Sequence, residues 1–246
     1  MPHFRIYCLA CIQLLAALGA PDASADLFDL GYRLQSDASF KERFLGSYGV
    51  LSDREPPITE IESVILKKVA EMFEVNTAYA QTMLEAMLKD SSQVSATFNY
   101  LLANLYFENE EYSLAEYEYE KAIEKFPTFQ RAWRNLGVLR MRSEDMASAM
   151  EAFSKCVELG DVSPGTYGRL AFCHFELGNY HSAEAAYTLA ILNEPKNLQW
   201  LEGKVEVYMA ARNFPQAIQL LDELIARIPD SELYRLAQSN AFLALN

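Results

Sequence analysis

Histidine, cysteine and positive charge are scarce in this 246-residue chain, and each shortage excludes something. Three histidines supply little material for a metal centre or a general base. Four cysteines are too few for a disulfide scaffold of this length. Lys and Arg number 21 against 34 Asp and Glu, a formal charge of −13. That balance argues against DNA or RNA as a partner, because affinity for phosphate backbones comes from cationic side chains. Ten glycines and nine prolines exclude collagen-like and long disordered stretches. No H-E-x-x-H, G-x-S-x-G, Walker A or dinucleotide glycine motif occurs. The sequence therefore assigns no catalytic residue, no cofactor and no metal, and reads as a non-enzyme. Apolar side chains are plentiful instead, at 51%, enough for one or two domains with a sizeable core.

Residues 1–25 stand apart from the rest. Arg5 gives a short positive start, Ile6–Ala20 is apolar, and Ala23-Ser24-Ala25 forms an A-x-A cleavage pattern. This predicts a secretory signal peptide and a mature chain beginning at Asp26. The apolar stretch is shorter than the roughly 20 residues of a membrane span and carries Gln13, so no span is expected after cleavage. The expected location is periplasmic or secreted. Cleavage removes Cys8 and Cys11 and leaves Cys156 and Cys173 in an oxidising compartment.

Internal repetition organises the remainder. Ala115, Ala149, Ala183 and Ala217 follow one another at intervals of 34 residues. Four residues beyond each stand Tyr119, Phe153, Tyr187 and Leu221; twelve beyond stand Pro127, Asp161, Pro195 and Pro229. Units at 96–129, 130–163, 164–197 and 198–231 follow without an insertion. Trp133, Leu136 and Gly137 fit the first helix of one unit, and Leu102, Ala103 and Tyr106 that of another. The pattern resembles the tetratricopeptide repeat (TPR): W-x2-L-G-x2-Y, then A-x3-F, then P. The resemblance implies an all-α fold, a right-handed solenoid of helical hairpins. Departures are local: Asn99 and Leu201 replace the tryptophan, and Asp161 replaces a proline. No such unit can bury its apolar face alone, so the units must stack.

The flanks are less regular. Thr59 and Glu62 have capping-box spacing, and apolar residues at helical intervals predict a helical pair over 58–95, a degenerate repeat or cap. Residues 26–57 read as an irregular N-terminal segment. Within it, Phe44–Leu51 leading into Arg54-Glu55-Pro56, like Gly165–Cys173 further on, is similar to secreted TPR proteins encoded beside TonB, ExbB and ExbD. Residues 232–246 predict a final helix whose Leu233, Leu236, Phe242, Leu243 and Leu245 leave little polar surface. Tight packing, a partner or a second copy of the chain must cover it.

Side chains that could carry chemistry have structural readings. His174 falls where other units place Tyr106 or Tyr208, a packing position, which disfavours a metal site with Cys173 and His181. Antiparallel pairing should hold Cys156 and Cys173 too far apart for a disulfide, so two buried thiols are expected. The glutamates of 108–124 mix with Lys121 and Lys125, as on a solvated helix face.

The family resemblance implies a concave surface lined by the first helix of each unit. Its candidate partner-binding residues are Tyr100, Asn104, Phe107, Arg131, Arg134, Asn135, Arg169, Phe172 and Phe175. Arginine beside aromatics is the composition of an interaction hot spot. Asn104, Asn135 and Arg169 also coincide with carboxylate-clamp positions of chaperone-cofactor repeats. Tyr100 and Gly165 stand where that clamp has lysines, which favours a general peptide groove. The reading is an envelope scaffold binding another envelope protein, an accessory of TonB-dependent transport in its narrower form. The competing reading is an assembly factor for envelope biogenesis, secretion or polysaccharide export, acting by homo-oligomerisation through the C-terminal helix.

Overall fold

The computed structural model describes residues 53–90 and 94–245. The expected signal peptide and most of the 26–57 segment lie outside the described residues. The described residues form eleven helices, beginning with α1 (Glu60–Val75), α2 (Thr77–Asp90), α3 (Ala96–Glu108), α4 (Tyr112–Lys125), α5 (Gln130–Arg142) and α6 (Met146–Glu158). They continue as α7 (Pro164–Glu176), α8 (Tyr180–Asn193), α9 (Leu198–Ala210), α10 (Phe214–Arg227) and α11 (Glu232–Leu245). No strand occurs among the described residues. Each helix packs on the next, and α7 also meets α9. This is the expected all-α solenoid of helical hairpins.

The ends of the helices follow from local chemistry. Thr59 and Glu62 close a capping box at the start of α1, and Glu62 also accepts the Ser95 N–H at 2.8 Å, tying the flanking pair to α3. Inside each of the four units the turn is made the same way. Glu110, Glu144, Gly178 and Arg212, again 34 apart, take positive φ. The next residue's N–H then returns to the carbonyl of Tyr106, Arg140, His174 or Tyr208 at 2.7–2.9 Å, as in a Schellman stop.

The junctions between units come in two kinds. Phe126, Glu194 and Ile228 leave the helical region, with ψ of 87°, 69° and 81°, as a following proline favours. In the second unit Asp161 replaces the proline, and Gly160 turns through φ +83° instead. The Asp161 N–H is thereby free to bond the Cys156 carbonyl at 2.9 Å.

The core sits between the layers of successive helices. The four periodic alanines are fully buried, and Tyr119, Phe153, Tyr187 and Leu221 are buried beside them. Approach is close enough that a Cβ on Gly168 would stand 2.2 Å from the Trp200 ring. Cys156 and Cys173 are buried free thiols, as expected, and burial pushes both up to about 12. At the far end α11 buries Tyr234 and Ala241 while Leu233, Leu236, Leu243 and Leu245 are exposed. No described helix is long and apolar enough to cross a membrane.

Candidate partner-binding groove

Helices α3, α5, α7 and α9 open the four units and carry the candidate groove residues. At the α3–α5 end much of this set is turned to internal bonding. The Tyr119 hydroxyl of α4 donates to Asn104 Oδ1 at 2.6 Å, and Asn135 Nδ2 donates to the same oxygen at 2.9 Å. Asn135 Nδ2 also lies 3.2 Å from the Tyr100 hydroxyl. Tyr100 and Asn104 are each 5% exposed, which corrects the expectation that they line an open surface. A buried amide costs free energy unless its bonds are made, and this network makes them. Burial holds the Tyr119 phenol well above its ordinary range.

The arginines are brought to one region, but they do not form a free cationic patch. Arg131 is paired with Glu55, and Arg134 with Asp161 at 2.9 Å. Asp161 also accepts the Thr166 hydroxyl at 2.8 Å and the Ser163 N–H at 2.9 Å. Burial alone would raise its carboxyl; the Arg134 charge and the bonds from Ser163 and Thr166 outweigh that and lower it. The residue that breaks the repeat pattern thus organises the junction. Phe107 packs on Tyr112 and Phe175 on Tyr180, both beside the turns within units. Arg169 and Phe172 are half-buried on α7 between these groups, with the Arg169 guanidinium near Gly165.

The other end of the helix row is acidic. The Tyr234 hydroxyl donates to Glu202 on α9. Glu206, one turn on, is pushed up to about 7 by burial and then by the charges of Glu202 and Glu176. His174 is half-buried with an unbonded, buried Nδ1, and burial lowers its pKa. No group of three His, Cys, Asp or Glu among the described residues is placed to hold a metal ion.

Two features escaped the sequence. Glu55 gave no sign of its role, because a pair separated by 76 residues has no periodic signature. Asp161 was visible as a departure from the repeat, but not as an arginine partner.

Two tetratricopeptide repeat family models match the chain, one over residues 76–128 and 100–164 and the other over residues 174–241. The chain belongs to the tetratricopeptide repeat family. Among curated TPR relatives, Hsp70-Hsp90 organizing protein 3 of Arabidopsis thaliana is 26% identical over 100 residues, 41% of this chain and 18% of its own length. Cilia- and flagella-associated protein 70 of Macaca fascicularis is 26% identical over 181 residues, 73% of this chain and 17% of its own. The chain thus spans less than a fifth of either relative. Among solved TPR structures, YrrB, described as a TPR protein with an unusual peptide-binding site, superposes with a TM-score of 0.63 at 22% identity, covering 70% of this chain and 88% of that one. MamA superposes at 0.58 with 19% identity, covering 61% and 81%. These likenesses concern the fold.

Proposed function

We propose that this TPR protein is a non-catalytic scaffold of the cell envelope that holds a segment of a partner protein along α3, α5, α7 and α9. The observation that carries the reading is the gathering of arginine and aromatic side chains on α5 and α7, beside an acidic stretch on α9. A groove with ion-paired arginines and aromatic rings at one end and carboxylates at the other presents different contacts along its length, and so can orient an extended chain as well as hold it. The relatives support the class of function: one is named an Hsp70-Hsp90 organizing protein, and one structure is described by its peptide-binding site. The leader-like residues 1–25 support a periplasmic or secreted location. The aromatic-glycine segments support a role as an accessory of TonB-dependent transport. Substituting Phe172→Asp and capturing partners from envelope extracts tests this. Loss of a partner from a chain of unchanged helicity supports the groove, and unchanged capture overturns it. A TonB, ExbB or ExbD protein among those lost supports the narrower reading.

The exposed leucines of α11 favour a second reading, an envelope assembly factor that pairs with another copy of itself through this helix.

A further inference from the structure

Residues 53–59 form no helix or strand, yet Glu55 is pinned to a helix far along the chain and its neighbours lie against other distant residues. Glu55 receives Arg131 in a two-pronged pair: Nε lies 2.7 Å from one carboxylate oxygen, and a terminal nitrogen meets the other. Glu55 is 7% exposed. The Arg131 guanidinium sits 5.2 Å from the Tyr100 ring centre and 5.7 Å from that of Phe129, both buried rings. One residue earlier, Arg54 lies against Gly160, where a Cβ would come within 2.8 Å of its guanidinium. One residue later, Pro56 is buried and borders, with Pro57, Val94, Lys125 and Phe126, a cavity of about 500 Å³. The segment therefore crosses the N-terminal ends of the groove helices α3 and α5 and reaches the turn ahead of α7.

The two sides of this contact are unequal. Arg131 is fixed by its helix and by two packed rings, and a planar guanidinium so held is a receptor shaped for a carboxylate. Glu55 comes from an irregular segment whose backbone is not tied into a helix, so it is the side that can leave.

We propose that the Arg131 site is a partner subsite seen with the chain's own segment in place. Its ligand is an extended protein segment carrying an acid followed by proline, like Arg54-Glu55-Pro56-Pro57. Docking such a segment requires the cis segment to lift off, so the strap gates this end of the groove. This rests on the groove reading above and specifies the chemistry it selects. A tethered segment acts at an effective concentration on the order of millimolar, so a loosened strap makes the site much easier to fill.

The test uses the full chain and a fluorescent peptide with the sequence Asp53–Thr59. Glu55→Gln, close in shape, is expected to bind it at least tenfold more tightly than the wild type. A peptide with Gln at the Glu55 position should lose that gain. Equal binding to wild type and variant, or binding to neither, overturns the proposal. A second measurement needs no variant: the bond after Arg54 is a trypsin site. An excess of the shorter peptide Glu55–Thr59, which has no Arg or Lys for trypsin to cut, should speed cleavage of the wild-type chain there severalfold, and an unchanged rate overturns the strap. If both arms fail while Phe172 still governs partner capture, the groove stands and only the strap falls.

Discussion

At single positions, the backbone and the burial of charge give the clearest outcomes. Three of the four turns within units place a non-glycine residue at positive φ, a conformation that disfavours side chains. Arg212→Gly should therefore raise stability by about 0.5–1 kcal/mol. Chemical denaturation checks it, and a loss would mean that the Arg212 side chain has an unrecognised role. Glu206 makes the opposite kind of case. Its carboxyl ionises near 4.5 in the unfolded chain but is held up to about 7 in the fold. The stability supplied by its protonated form is complete below about pH 4.5 and is lost as the pH rises through 7. Glu206→Gln should remove that loss, gaining about 1–2 kcal/mol at pH 8 after allowance for partial exposure. Melting curves from pH 4 to 8 should show a shallower slope for the variant. The two thiols, raised to about 12 by burial, should resist a thiol reagent at pH 8 until the chain is unfolded.

Among the elements, the second junction departs from the other three and explains why one repeat lacks its proline. Asp161→Pro restores the repeat pattern, yet it removes the N–H bonded to Cys156 and strips Arg134 of its partner. The expected result is a loss on the order of 2–3 kcal/mol, read by denaturation. A gain would mean that the junction tolerates proline here as elsewhere. Ala149→Arg should cost at least about 3 kcal/mol, because the alanine is fully buried in a cluster with Phe153 and Cys173. At α11, Leu236→Glu with Leu243→Glu should convert any dimer to monomer in sedimentation equilibrium. A wild-type chain that is already monomeric at high concentration would rule out pairing through this helix.

Across the whole molecule, the legible part of the fold is the part that repeats. Alanines 34 residues apart mark points where helices touch, and close contact tolerates few alternatives, so the spacing survives in the sequence. The location of polar partners does not repeat. Asn104 and Asn135 look like groove residues by position, yet Asn104 is buried in a network with Tyr119 on a neighbouring helix. The pattern assigns Arg131 and Arg134 to one helix face, and their acidic partners lie at Glu55 and Asp161, outside the helix positions that the pattern addresses. Sequence periodicity thus exposes which residues share a face. Whether that face is open depends on side chains from elsewhere.

The central claim is that α3, α5, α7 and α9 hold a partner protein. A photo-crosslinking residue at Phe172 on α7 tests it most directly, with Tyr117 on the outer surface of α4 as the control position. In cells, an adduct of one defined protein is expected from position 172 and not from 117. Adducts from 117 alone, or none from 172, would contradict a partner in the groove.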